Sequence, residues 1–163
     1  MIDSPTIVKV GMADLNVCRS GSIRTLGLGS CVGLTLYDPK IQIAGMAHIM
    51  LPSSEIARDG NVNVAKYADT AVPELIRRML REGAELSRLI AKMAGGAQMF
   101  AFAGNDSMRI GARNVETCKA LLSKQRIPLV AEDTGGNYGR TIELRCCDGM
   151  MNIRSVQKGV KEI

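Results

Sequence analysis

Thr25-Leu-Gly-Leu-Gly-Ser-Cys31 is the stretch around which the chain can be organised, and a later run, Ala47-His48-Ile49, completes it. The first places a cysteine just after a double-glycine turn, and the second carries the single histidine of the chain. A thiol and an imidazole suffice for acyl transfer through a thioester, because the imidazole takes the thiol proton and later returns it to the leaving group. This pair is the first candidate for chemistry.

Both residues lie in one predicted hairpin. Apolar and alternating residues predict strands at 31–37 and 43–51, and Asp38-Pro39-Lys40 between them is a turn signal. A hairpin brings the start of its first strand beside the end of its second. Cys31 and His48 occupy those two positions, so the sequence predicts that they approach each other.

The residues around the cysteine suit the same chemistry. Gly27 and Gly29 allow a tight turn that continues through Ser30, and its outward amides could hold an oxyanion. Thr25 could orient the imidazole through its hydroxyl or its carbonyl, and a basic partner would hold the thiol ionised. The structural alternatives are an inert buried thiol at Cys31, a structural histidine and an ordinary strand threonine.

Hydrophobic periodicity predicts a single α+β domain over residues 1–163, with a mixed sheet and two main helices. One helix follows the apolar stripe from Val72 to Leu80, with Asp69 or Thr70 as its cap, Pro73 in its first turn and Gly83 at its end. The second helix spans 110–124, with Asn105 or Asp106 upstream as cap. Further strands are predicted at 6–10, 13–18, 23–26, 89–94, 128–131, 141–146 and 150–156.

Composition excludes several functions. The chain carries a net charge of +5, but its basic residues are dispersed and only 3% of residues are aromatic, so nucleic acid is not an expected partner. No apolar run approaches the ~18 residues that would span a bilayer, so membrane insertion is not expected. Five cysteines without a secretory leader fit a reducing cytoplasm rather than a disulfide framework.

Other motifs are weaker. One histidine and scattered cysteines give no metal-ligand spacing, so neither a metal nor another cofactor is predicted. Asp133-Thr-Gly135 is similar to the aspartic-protease triplet, but that chemistry needs a second carboxylate that shares a proton. Gly95-Gly96 after a strand lacks the spacing of known phosphate-binding loops.

Six segments, in this order, resemble the CheD family, the chemoreceptor glutamine deamidases of chemotaxis. They are 25–31 (TLGLGSC), 45–52 (GMAHIMLP), 66–72 (KYADTAV), 94–97 (AGGA), 110–115 (IGARNV) and 131–137 (AEDTGGN). The resemblance runs from about Thr6 to the C-terminus. It implies that Thr25, Cys31 and His48 form the active site, whereas Cys18, Cys118, Cys146 and Cys147 receive no role.

The same resemblance implies the fold and the partners. The fold would be a layered α/β/β sandwich with mixed sheets, similar to the catalytic domain of the deamidating toxin CNF. The substrate would be glutamine side chains on the cytoplasmic bundle of methyl-accepting chemotaxis receptors. A second partner would be the phosphatase CheC, which can occupy the receptor-binding surface.

The Cys31–His48 pair together with the resemblance therefore predicts hydrolysis of a protein glutamine amide through a Cys31 thioester, and a glutamate methyl ester could enter the same pocket. An alternative of another class is a regulatory docking module that binds receptor and CheC with little catalysis of its own. The ten methionines and the basic surface motivate it, because adaptable apolar side chains suit helix recognition. A thiol protease is disfavoured, because cutting backbone needs an extended cleft.

Overall fold

Two five-stranded sheets pack face to face in the computed structural model, which describes residues 6–57, 62–99 and 109–163. The outer sheet has the strand order β1-β3-β8-β9-β10, and the central sheet has the order β2-β5-β4-β6-β7. The strands are β1 (Ile7–Val10), β2 (Leu15–Cys18), β3 (Ser22–Leu28), β4 (Val32–Asp38), β5 (Ile43–Ile49), β6 (Ile90–Gly95), β7 (Leu129–Thr134), β8 (Arg140–Arg145), β9 (Met151–Ser155) and β10 (Gly159–Glu162).

The two α-helices of the described residues, α1 (Ala68–Arg81) and α2 (Ile110–Lys124), cover the other face of the central sheet. Every residue of β4 and of β5 is buried, because both faces of these strands are covered. Along β4, alternate residues such as Leu34 and Leu36 pack toward the helices, whereas Tyr37 packs toward the outer sheet. The layers are therefore helices, central sheet and outer sheet.

The predicted fold class is confirmed at this level: the chain is an α+β protein with two mixed sheets and a helical layer. Both sheets are mixed, since β1 pairs with β3 and β6 pairs with β7 in parallel, whereas the other pairings are antiparallel. The predicted hairpin is present as β4 and β5, and the second helix has its predicted bounds. The caps predicted for that helix at Asn105 or Asp106 lie outside the described residues.

Two strands differ from the sequence prediction. β7 continues to Thr134 instead of ending before Asp133, because it pairs in parallel with β6 as far as Gly95. β10 was not predicted at all, since its four residues are all exposed and show no alternation. It forms only because β9 offers it an edge to pair with.

The start of α1 also differs from the prediction. Neither Asp69 nor Thr70 caps the helix, which begins at Ala68 after Tyr67, so Pro73 lies in its second turn. The Ala68 N–H instead donates to the carbonyl of Leu51 over 2.9 Å. A backbone acceptor brought by the tertiary fold therefore replaces the expected side-chain cap.

The displaced cap residue has a different partner. The Asp69 carboxylate accepts hydrogen bonds from the Ser54 backbone N–H and hydroxyl, at 3.0 and 2.8 Å. The end of α1 is as predicted, with Gly83 in the left-handed region at φ 106°. No helix within the described ranges is long and apolar enough to cross a membrane.

Candidate active site

His48 and Thr25 meet across the two sheets. His48 is the penultimate residue of β5 in the central sheet, and Thr25 lies in the middle of β3 in the outer sheet. Their side chains join at 2.7 Å between Thr25 Oγ1 and His48 Nδ1, and each residue is only 1% exposed. The structure therefore brings together two of the three residues that the sequence singled out.

The hydrogen bonds of Thr25 fix the tautomer of the imidazole. The Thr25 hydroxyl has one proton, which it donates to the carbonyl of Val10 over 2.8 Å. Its contact with His48 Nδ1 must then be one that the hydroxyl oxygen accepts, so Nδ1 carries the ring proton. The lone pair is left on Nε2, which is buried and has no hydrogen-bond partner among the described residues.

Cys31 lies on the same face of the hairpin as His48. It directly precedes β4 and belongs to the apolar cluster between the sheets. Gly33, two residues further on, pairs directly with His48 across the ladder, so Cys31 is the diagonal neighbour of the imidazole. The hairpin thus directs the thiol and the imidazole into the same inter-sheet space.

Gly33 lies where the two sheets approach each other closely. A Cβ atom at this position would lie 2.5 Å from Ile142 Cδ1 and 2.9 Å from Leu28 Cδ1, both from the outer sheet. A side chain at this position, opposite His48, would have to displace the ends of those two side chains, so a glycine suits the close approach of the sheets here.

Burial favours the neutral form of both groups. Cys31 is 9% exposed, and burial raises the pKa of its thiol, opposed in part by its own backbone N–H. Burial also lowers the pKa of His48. The sequence suggested that a basic partner would hold the thiol ionised, but these directions instead favour a thiol beside a neutral base at neutral pH.

The double-glycine segment is not one turn. Gly27 belongs to β3, where it adopts a left-handed φ of 71° at an irregularity between Thr25 and Leu28 in the pairing with β8. The predicted Gly27–Ser30 turn is therefore wrong in its first half, because Leu28 pairs with β8 and only the segment after it leaves the sheet.

The carbonyls of the remaining turn all accept hydrogen bonds. The Gly29 carbonyl accepts from the Ala97 N–H at 2.9 Å, and the Cys31 carbonyl accepts from the Gly96 N–H at 2.8 Å. The Ser30 carbonyl accepts from the side chain of Asn114 at 3.0 Å. Three consecutive carbonyls before β4 are therefore fixed by the loop after β6 and by α2.

Asn114 is the residue that sequence reasoning missed. It lies in the segment 110–115 of the family resemblance. It is fully buried, and its amide also donates to the carbonyl of Met50. The signal was present: Asn114, Cys118 and Leu122 recur every four residues, so a polar residue occupies the buried stripe of α2.

The other candidates have structural partners. The Asp133 carboxylate pairs with Arg140 at 3.3 Å and with Lys161 at 3.2 Å, as expected of a structural ion pair rather than of a proton-sharing dyad. Cys18 and Cys146 contact each other, with 3.1 Å between their sulfur atoms, and both are buried. No cluster of metal-binding side chains occurs within the described ranges.

A threonine, a histidine and a cysteine between two mixed sheets, with helices on one side, define the class: an α+β domain with a candidate thiol–imidazole site. Residues 50–155 match the family model of CheD, described as CheD chemotactic sensory transduction. The chain belongs to the CheD family.

Full-length relatives agree. The chemoreceptor glutamine deamidase CheD of Halalkalibacterium halodurans is 55% identical over 159 residues, which cover 96% of this chain and 98% of that protein. The protein of the same name from Bacillus subtilis is 49% identical over 159 residues, 96% of each chain. These matches include the segment from Thr25 to His48, which precedes the family-model match.

Among solved structures, the hypothetical protein YfiH of Bacillus licheniformis is similar to this chain with a TM-score of 0.47 and 14% identity. The match covers 74% of this chain and 50% of that one.

Proposed function

We propose that this protein hydrolyses glutamine side-chain amides on chemotaxis receptors to glutamate, with Cys31 as nucleophile. The observation that carries the proposal is the imidazole of His48, whose Nδ1 is bound to Thr25 and whose Nε2 is left without a partner among the described residues. Membership of a family whose curated relatives are named chemoreceptor glutamine deamidases supplies the substrate class.

The first half-reaction forms a thioester. Nε2 of His48 takes the proton of the Cys31 thiol, and the sulfur attacks the side-chain amide carbon of glutamine, so that a C–S bond forms and the carbonyl becomes an oxyanion. The proton on Nε2 then goes to the amide nitrogen as the C–N bond breaks and ammonia leaves. Because burial favours the neutral forms of Cys31 and His48, we expect proton transfer to accompany attack instead of preceding it.

The second half-reaction reverses these roles. A water gives its proton to Nε2 and attacks the thioester carbonyl. The C–S bond breaks, glutamate leaves, and the proton returns to the sulfur. The sum is one amide and one water converted to one carboxylic acid and one ammonia, with no cofactor.

The oxyanion would be held by backbone amides of the segment from Gly29 to Cys31, joined by that of Gly27 if the β3 irregularity turns it inward. The carbonyls of Gly29, Ser30 and Cys31 point to partners in α2 and in the loop after β6, which supports an opposite direction for amides between them. Each such donor is worth about 3 kcal/mol in well-studied hydrolases.

A receptor helix could dock on an exposed apolar patch of the outer sheet. Met12 and Leu26 are 62% and 61% exposed, and with Lys9 and Arg24 they line a surface depression of about 270 Å³. Leu26 directly follows Thr25 in β3, and because successive strand side chains point to opposite faces, this patch lies on the solvent face of the outer sheet, across that sheet from the Thr25 hydroxyl. Its exposed apolar and basic side chains suit docking of a receptor helix, and these are the features that motivate the docking-module alternative.

Finer parts of the proposal come from the family resemblance. They are a sandwich like that of the CNF toxin, a cytoplasmic location, hydrolysis of glutamate methyl esters at the same site, and the phosphatase CheC as a second partner. Methyl-ester hydrolysis follows the same steps with methanol as the leaving group. CheC would compete with receptor for the docking patch.

The test is a mass map of a receptor cytoplasmic fragment after incubation with the wild-type protein, with Cys31→Ala and with Cys18→Ala. We expect amide-to-acid conversion at glutamine by the wild type and by Cys18→Ala, and none by Cys31→Ala. Equal conversion by all three proteins would remove Cys31 from the reaction. Cleaved peptide bonds in the same map would point to a protease instead.

A further inference from the structure

The side chain of Asn114 joins the two segments that carry the thiol and the imidazole. Its Nδ2 lies 3.0 Å from the Ser30 carbonyl and 3.0 Å from the Met50 carbonyl, and the residue is fully buried. Ser30 directly precedes Cys31, and Met50 follows His48 by two residues. One amide group therefore bridges the turn before β4 and the chain leaving β5.

We propose that Asn114 is a positioning residue: its two N–H groups set the separation of Cys31 and His48 for proton transfer. The inference rests on the proposed function for its catalytic consequence, although the bridge itself does not depend on it. Proton transfer needs the sulfur and Nε2 within hydrogen-bond reach, and small misplacements of reacting groups are costly.

The orientation of the amide follows from its partners. Carbonyl oxygens only accept hydrogen bonds, and an asparagine side chain offers two N–H donors on one nitrogen. Two carbonyls at equal distance from the same atom therefore require Nδ2 on that side. Aspartate would face the carbonyls with acceptors, and leucine would offer them no donor.

The other half of the amide argues against a simple packing role. The Oδ1 atom of Asn114 is buried and has no hydrogen-bond partner among the described residues. An unpaired buried acceptor is unfavourable, and its neighbours along the stripe, Cys118 and Leu122, are apolar and fully or almost fully buried. Leucine would pack better at this apolar position. We therefore attribute the presence of asparagine to the two hydrogen bonds that its Nδ2 donates.

A close backbone contact fixes the position of α2, and with it that of the Asn114 amide. A Cβ atom at Gly111, one turn earlier on α2, would lie 2.4 Å from the Ala97 carbonyl oxygen, so α2 touches the loop after β6 backbone to backbone. That loop binds the Cys31 carbonyl through the Gly96 N–H. The Cys31 segment is thus bound by the loop after β6 and by Asn114. Of these two, only Asn114 also binds the His48 segment.

The experiment compares the full-length Asn114→Leu and Asn114→Asp proteins with Cys118→Ala. Cys118 lies one turn further along the same buried stripe and is also fully buried, so its truncation disturbs the packing of α2 without touching either carbonyl. Two readouts are taken on each folded protein: kcat and KM for a receptor fragment, and the pH dependence of iodoacetamide alkylation at Cys31, followed by peptide mass.

We expect kcat to fall about 100-fold in both Asn114 variants with KM changed less than about threefold, because misplaced groups slow the step without weakening docking. The pH profile of Cys31 alkylation should shift in these variants, and Cys118→Ala should keep both wild-type values. Because alkylation needs no substrate, it tests the positioning role even if the receptor fragment is not deamidated at all.

Three results would overturn the inference. One is an alkylation profile of the Asn114 variants that matches Cys118→Ala and wild type. Another is a kinetic defect of the Asn114 variants that appears only as a raised KM, with kcat unchanged. The third is failure of both Asn114 variants to fold while Cys118→Ala folds, which would make the residue a structural requirement instead of a positioning one.

Discussion

Two cysteines lie at opposite ends of the space between the sheets, Cys31 directly before β4 and Cys18 in β2, and each has a different neighbour there. At one end Cys31 accompanies His48, and at the other Cys18 contacts Cys146 at 3.1 Å between sulfur atoms. The register marks the two ends: β5 presents His48 opposite Gly33, and four residues earlier it presents Ala44 opposite Cys18. The same functional group therefore lies in two different surroundings.

The difference lies in what each thiol can give its proton to. Cys31 shares its face with an imidazole nitrogen that has no partner among the described residues, and it is 9% exposed. Burial and the neighbouring Cys18 raise the pKa of Cys146 to about 12, and the atoms within reach are a carbonyl and another thiol. A cysteine becomes reactive through a nearby base and some exposure to solvent, and by these criteria Cys31 is a better candidate than Cys18 or Cys146.

Truncation of each cysteine in turn tests this comparison most directly, because the two variants should give opposite results. Cys31→Ala should lower deamidation of a receptor fragment on the order of 10⁴-fold or more, because no other nucleophile replaces the sulfur. Cys18→Ala should keep the wild-type rate, measured as ammonia release under the same conditions. A large loss in Cys18→Ala at unchanged stability would show that the second pair takes part in the chemistry.

The support of the imidazole is tested next. Thr25→Val keeps the shape of the side chain but removes the oxygen that binds Nδ1 and the proton that binds the Val10 carbonyl. We expect a loss of about 10²-fold in kcat and of about 1–3 kcal/mol in the free energy of unfolding, since two buried groups lose their partner.

Thr25→Ser is the matched control for that change, because it keeps the hydroxyl and loses only a methyl group. It should recover most of the rate lost in Thr25→Val. If valine and serine give the same kcat, the hydroxyl has no part in orienting His48, and the contact is structural.

The pH dependence sharpens the comparison through the single histidine. Burial lowers the pKa of His48 below its ordinary 6.5, so the unfolded chain binds more protons than the folded one between the folded pKa and 6.5. This contribution to stability is complete above 6.5 and is lost as the pH falls through that window. As the pH falls from about 7 to about 5, the free energy of unfolding should therefore decrease more in the wild type than in His48→Gln, as measured by urea titration.

The same directions predict the rate profile. The acid limb of kcat/KM should fall below pH 6.5, because the free protein needs neutral His48 and burial favours that form. An acid limb above 6.5 would mean that the pKa of His48 is raised in the folded protein, contrary to the effect of its burial.

The smallest effect concerns the exposed thiol. Cys147 is exposed, whereas the other four cysteines are buried, so a water-soluble disulfide reagent should modify Cys147 first without loss of deamidation. Cys18 and Cys146 should react only when the protein unfolds. Early modification of either, identified by peptide mass, would show that this end of the sandwich opens in the native state.

Much of the architecture could be predicted because it depends on local pattern. The hairpin that carries Cys31 and His48 follows from two apolar runs around a proline turn, and the bounds of α2 follow from helical periodicity. The placement of Cys31 and His48 on one face follows from the same register. The α1 cap was wrong because the Leu51 carbonyl, distant in sequence, satisfies the first helical N–H.

The sequence by itself determined the residue types, the hairpin and the helical stripes, since these depend on spacings of two and of about 3.6 residues. Only the tertiary structure decided which nitrogen of His48 holds the proton, because that depends on a hydroxyl from the other sheet. It also decided that Asn114 reaches both segments of the site. Hydrogen bonds between distant segments depend on how layers stack, and that stacking leaves no periodic trace in the chain.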